Sequence, residues 1–110
     1  MGTALTKDAD KLICLIYKEF LDRRKSGTPK RQAKDFAEPD EWPSSFSEFD
    51  EYDMADTLSE LKKAGFLKLY IHGGFQLEDR GIIYMEQRFP NGLAQVVDWL
   101  CKIAGAISFM

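Results

Sequence analysis

The stretch Phe66-Leu67-Lys68-Leu69-Tyr70-Ile71-His72-Gly73-Gly74-Phe75-Gln76-Leu77 constrains the fold more than any other part of the chain. It alternates, breaks at a glycine pair and resumes, which is the pattern of a β-hairpin set between segments of helical period. The apolar side chains decide its turn. A two-residue Gly73-Gly74 turn pairs Tyr70 with Leu77 and throws Leu67, Leu69 and Ile71 onto the face opposite Phe75 and Leu77. A three-residue turn, His72 to Gly74 with Gly74 left-handed, pairs Ile71 with Phe75 and Leu69 with Leu77 and puts all five on one face. The three-residue turn is therefore expected, with His72 at its tip.

Upstream, Leu12, Ile13, Leu15, Ile16, Phe20 and Leu21 recur at helical spacing. Asp8 and Asp10 stand in the first turn and Arg23, Arg24 and Lys25 in the last, where the helix dipole favours each sign. A helix from about Lys7 to Lys25 follows, capped by Thr6 or Thr3 and stopped by Ser26-Gly27. Thr28-Pro29 restarts a short second helix from Pro29 to about Ala37. Glu38 to Phe46, with Pro39 and Pro43, reads as loop. Ser47, with Asp50 three residues on, opens a third helix that carries Ala55, Leu58, Leu61 and Tyr52 inward and stops at Gly65. Beyond the hairpin, Glu78 or Asp79 starts a fourth helix through Ile82, Ile83, Met85 and Phe89. Pro90-Asn91-Gly92 separates it from a fifth, Leu93 to about Ile107.

At 110 residues the chain has room for one hydrophobic core, and its 45% hydrophobic content suffices to build that core without metal or crosslinks. The fold class expected is mainly α with a small β-hairpin, an α+β arrangement. Helix, short helix, helix and glycine-tipped hairpin, with a further helix after it, is the order of a winged helix-turn-helix. Residues 1–89 make that domain, and residues 90–110 an added apolar helix.

The chain also resembles small, mostly uncharacterised winged-helix proteins of Gram-positive bacteria and their mobile elements. The likeness is carried by Leu58-Ser59-Glu60-Leu61-Lys62-Lys63-Ala64-Gly65-Phe66-Leu67, a wing, and Leu77-Glu78-Asp79-Arg80-Gly81-Ile82-Ile83-Tyr84-Met85-Glu86. It is loose over residues 7–89 and good over 55–86, and these motifs describe packing rather than function. The resemblance implies DNA binding through the third helix and the wing, often by a dimeric regulator, although other relatives use the same surfaces for proteins.

Net charge is -3, but the distribution is uneven. Residues 22–36 hold Arg23, Arg24, Lys25, Lys30, Arg31 and Lys34 against Asp22 and Asp35, a local +4. Residues 37–60 hold Glu38, Asp40, Glu41, Glu48, Asp50, Glu51, Asp53, Asp56 and Glu60 with no Lys or Arg, a local -9. Cations at the end of one helix and on the face of the next need no ligand, yet they could also hold phosphates. The acidic block reads first as a solvated face. Its interleaving with Trp42, Phe46, Phe49 and Tyr52 admits a partner-binding reading, because aromatic anchors rimmed by charge suit protein interfaces. For Trp42 the preferred reading is that it folds back over the core.

Catalysis finds no foothold: no nucleophile has a histidine partner and Gly73-Gly74 is a turn rather than a phosphate cradle, so no enzyme is expected. Cys14 and Cys101 lie in apolar helical patterns and read as buried hydrophobes. With His72 the single histidine, no metal site or cofactor is expected. Lys7, Asp8, Asp10 and Lys11 interrupt the start before any apolar run forms, which leads to the expectation of a cytoplasmic protein.

Two functions compete. The first, favoured because DNA binding is the commoner use of the fold, is a dimeric transcriptional regulator on double-stranded DNA, with Lys30, Arg31, Lys34, Lys62, Lys63 and Lys68 as phosphate contacts and His72 on the wing. Two features oppose it: a segment between helices two and three much longer than the usual turn, and a carboxylate row on helix three. The alternative is an adaptor or mobile-element inhibitor that docks a basic protein through Trp42, Phe46, Tyr52, Asp53 and Asp56. In the fifth helix, Gln95, Asp98, Lys102 and Gly105 form one narrow polar stripe and the rest is apolar, more than one packing face requires. Asp98 and Lys102 interrupt a run already shorter than the ~20 residues of a membrane span. A homodimer through Val96, Trp99, Leu100, Ile103 and Ile107 is the expectation.

Overall fold

The computed structural model describes residues 4–104. It is mostly helical with a small three-stranded antiparallel sheet, the α+β class expected. Helix α1 spans Lys7–Lys25. Its N-cap is Thr6, whose Oγ1 accepts from the Ala9 N–H at 3.2 Å. Every residue from Leu12 to Tyr17 is buried. A helix apolar all round must be covered all round. Accordingly α2 (Lys30–Ala33), α3 (Glu51–Lys63), α4 (Asp79–Arg88) and α5 (Leu93–Ala104) all pack against α1.

The second helix stops at Ala33, four residues short of the boundary expected from the sequence. Residues Asp35–Phe36 instead form strand β1, which pairs with β3 (Phe75–Leu77), itself paired with β2 (Leu67–Leu69). The sheet order is β1-β3-β2. Tertiary hydrogen bonds overrode local helix propensity here. Arg23 donates from Nη1 to the carbonyls of Ala33 (3.2 Å) and Asp35 (2.8 Å), and Trp42 Nε1 donates to that of Phe36 (3.0 Å). The Phe36 ring stacks on Phe75 at 4.8 Å.

The hairpin has the expected parity with its turn moved by one residue. Leu69 faces Phe75 and Leu67 faces Leu77, so these four apolar residues share a face. Tyr70 N–H donates to Gly74 O at 2.8 Å, leaving Ile71, His72 and Gly73 as the loop. Gly73, not Gly74, has positive φ (+104°), and Ile71 is fully exposed rather than inward. The cause is packing at Gly74: a Cβ there would lie 2.2 Å from the Ala37 carbonyl oxygen, so the chain leaving β1 passes directly against it.

The expected loop after β1 is partly ordered into two 3-10 turns, Pro39–Glu41 and Ser44–Glu48, the latter pinned by buried Phe46. Helix α3 therefore opens at Asp50, not Ser47. Asp50 Oδ1 accepts from Asp53 N–H at 2.8 Å, while Ser47 Oγ donates to Ser44 O at 2.6 Å. The inward face of α3 is Met54, Thr57, Leu58 and Leu61, with Ala55 exposed and Tyr52 76% exposed, a rotation from the face expected.

Candidate functional site

The face that α3 presents and the fold of the 3-10 segment together form a groove of about 680 Å³. Trp42, Phe46 and Phe49 from the 3-10 segment meet Met54 and Leu58 of α3 on its floor; Pro39, Pro43 and Glu51 stand along it, and Gly73 of the hairpin closes one side. The floor is firmly built. Trp42 packs against Phe46 at 5.7 Å and Phe75 at 5.4 Å, with its indole N–H already committed to Phe36. Phe46 is buried within the core. Of the interaction residues expected from the sequence, Trp42 and Phe46 thus reach the groove as floor. Tyr52, Asp53 and Asp56 are exposed on α3 and do not line it. Met54 had a signal in its i, i+4 spacing from Leu58, which the inward face expected from Tyr52, Ala55, Leu58 and Leu61 passed over; Phe49 had one in its place among the aromatic residues of the acidic block.

Three of the nine carboxylates in that block have structural duties. Glu48 pairs with Lys11 at 2.5 Å; Glu60 accepts from Thr6 N–H (2.9 Å) and from its hydroxyl (2.7 Å); Asp50 caps α3. Glu38, Asp40, Glu41, Glu51, Asp53 and Asp56 are exposed and form no ion pair among the described residues. They leave the first half of α3 and the 3-10 turn Pro39–Glu41 strongly negative.

The cations assigned to phosphates do not gather there. Lys34 bonds Asp79 at 3.0 Å and Lys30 approaches it at 4.0 Å. Those two ammonium groups hold the Asp79 carboxyl below its usual range, Lys34 contributing most through its hydrogen bond. Arg80 lies against Gly65, and Lys62 and Lys63 are exposed in the last turn of α3. Arg31 is exposed on α2, Lys68 on β2 and His72 at the hairpin tip, its ring 5.5 Å from Tyr70.

Comparison of the chain with protein-family models, curated proteins and solved structures found no match.

On α5, Val96 and Leu100 are completely buried in their own domain, so neither is available to a second chain. Trp99 donates from Nε1 to Asp10 Oδ2 at 3.2 Å. The same carboxylate holds both Nη atoms of Arg88, and that guanidinium lies 4.9 Å from the rings of both Phe89 and Trp99. This α1–α4–α5 cluster was not foreseen in the sequence. Ile103 is 40% exposed, and Ile107 lies outside the described residues. Cys14 is buried as expected, whereas Cys101 is half-buried. Burial, reinforced by Asp10, pushes the Cys14 thiol up to about 12, so it stays protonated and a poor nucleophile. Among the described residues no group of three or more potential metal ligands comes together, and no helix is long and apolar enough to cross a membrane.

Proposed function

We propose that this chain is an interaction module of winged-helix type that binds another protein through the groove between α3 and the 3-10 segment. The observation that carries the proposal is an apolar groove lined by Glu51 and by no Lys or Arg, in segments that hold six carboxylates without an ion pair among the described residues, while Lys30 and Lys34 turn to Asp79. The helix–strand–helix–hairpin order and the β1-β3-β2 sheet support the winged-helix reading. They do not by themselves select DNA as the ligand, since one fold serves many partners. Phosphates laid along the first half of α3 would meet Glu51, Asp53 and Asp56, a repulsive arrangement.

DNA binding stands as the second reading, favoured by exposed Lys62, Lys63, Lys68 and His72 on and after α3. The homodimer expected from α5 is not part of the proposal, because Val96, Leu100 and Trp99 are engaged within the chain.

Affinity capture from a cell extract separates the two readings. The wild type and a Lys30→Glu, Arg31→Glu, Lys34→Glu variant should retain the same protein, and Glu51→Lys with Ala55→Arg should lose it. Glu51 and Ala55 are both exposed at the groove, so that change spares the core, whereas Trp42→Ala would damage it. Capture of nucleic acid alone, steeply weakened by salt and abolished in the triple variant, would overturn the proposal in favour of DNA.

A further inference from the structure

The groove is already read as a protein-binding site; the chemistry of its occupant follows from what surrounds it. Its volume of about 680 Å³ lies within the roughly 300–1,000 Å³ of pockets that enclose a small ligand or a few anchoring side chains. The floor carries no charge: three aromatic rings, Met54 and Leu58. Methionine adapts its shape to an apolar guest, and the flanking Pro39 and Pro43 limit the freedom of the wall. Apolar side chains therefore provide the contact, and charge at the edge selects among partners.

Glu51 is the carboxylate that lines the groove itself, and exposed Asp40 and Glu41 stand in the turn between two of its lining residues, Pro39 and Trp42, Glu41 also bordering a smaller hollow that Arg23 reaches. The N-terminus of α3 accounts for Asp50 as cap and for Glu51 and Asp53 as acidic residues of the first turn. It does not account for Asp40 and Glu41 in the 3-10 turn between Pro39 and Trp42. Both are exposed and form no ion pair among the described residues. A neutral or acidic guest would leave these carboxylates uncompensated or repelled; a basic one complements them.

We propose that the groove takes a short basic amphipathic segment of a partner protein, with large aliphatic or aromatic side chains on the Trp42–Phe46–Met54–Leu58 floor and Lys or Arg facing Asp40, Glu41 and Glu51. This rests on the reading of the groove as a protein-binding site. Charge contributes selectivity and speed of encounter, and the apolar anchors the lifetime of the complex.

The test uses the full, isotope-labelled chain and three synthetic peptides: Leu and Lys at amphipathic helical spacing, the same peptide with every Lys replaced by Glu, and a scrambled Leu/Lys peptide. The patterned Leu/Lys peptide should shift the Trp42 indole signal and the amides of residues 46–58, leaving those of α4 unmoved. Its affinity should fall about tenfold between roughly 50 and 300 mM salt, as expected for screened charge at a rim. Asp40→Lys with Glu41→Lys, both exposed and outside the floor, should weaken it by about tenfold without changing the circular dichroism spectrum. Groove binding by the Glu peptide with equal or greater affinity would overturn the basic-partner inference and leave the protein-binding site standing. Equal binding by the scrambled peptide, with shifts spread over the acidic surface, would also overturn it. Failure of all three peptides to move any groove signal would remove both the inference and the reading beneath it.

Discussion

A methyl group on Gly74 would sit 2.2 Å from the carbonyl oxygen of Ala37 and 2.5 Å from its Cα, contacts that no rotamer change relieves because the obstacle is backbone. At Gly73 the surroundings are open and only the positive φ opposes a side chain. Gly74→Ala should therefore cost about 1–3 kcal/mol or more, by forcing β1 away from β3. Gly73→Ala should cost roughly 1–2 kcal/mol from left-handed strain alone. Urea denaturation of the two variants checks the order, and an unchanged midpoint for Gly74→Ala would contradict the close approach. Cys14 makes a second prediction at this scale. Its thiol ionises near 9.0 ordinarily and near 12 when folded, so the unfolded chain loses its proton first. Stability is thus unaffected by this group below pH 9 and declines as pH rises from there toward 12; the raised Tyr17 hydroxyl acts in the same direction. Cys14→Ala should flatten that alkaline decline, and at pH 8 a thiol reagent should modify half-buried Cys101 well before Cys14.

Three helices meet at one carboxylate. Asp10 of α1 receives Arg88 of α4 and the Trp99 indole of α5, with about a fifth of each charged side chain left in contact with water. Removing one partner of such a pair leaves the other poorly solvated, so Arg88→Met should destabilise by about 1–3 kcal/mol. The Asp10→Asn, Arg88→Met double variant should be more stable than the sum of the single changes implies, because neither charge is then stranded. Strict additivity in chemical denaturation would show that the pair is screened into irrelevance. Trp99→Asp, which from the sequence alone looks like a way to break a dimer, would strike this intrachain cluster instead.

Across the whole molecule the apolar supply of α5 is met by the apolar demand of α1. The run Leu12 to Tyr17 needs cover on every side, and Val96 and Leu100 are part of that cover. Much of the force inferred for self-association is therefore used inside the chain. Sedimentation of the full chain at micromolar concentration should give a monomer near 12.6 kDa, with Ile103→Lys sedimenting identically. A dimer dissociated by Ile103→Lys would restore α5 as an interface. Charge is arranged at two levels: the length of α3 itself separates its acidic first turn from Lys62 and Lys63 in its last, whereas only the tertiary fold turns Lys34 and Lys30 of α2 toward Asp79 of α4.

What the sequence determined by itself is what short-range physics controls. The span of α1, its Thr6 cap, the break at Pro90-Asn91-Gly92, the starts of α4 and α5 and the shared face of Leu67, Leu69, Phe75 and Leu77 all follow from caps, turns and apolar period. Tertiary structure alone decided β1, the one-residue shift of the hairpin turn, the phase of α3 and the groove. A two-residue strand has almost no stability of its own; β1 exists because Phe75 and Gln76 pair with it and Arg23 and Trp42 hold its carbonyls. The Asp10–Arg88 contact joins residues 78 positions apart, and no local pattern encodes which carboxylate a distant guanidinium will reach. The groove was half legible for the same reason: its aromatic and acidic residues are adjacent in sequence, but only the packing of Phe46, Met54 and Leu58 determines which of them form a floor and which remain in water.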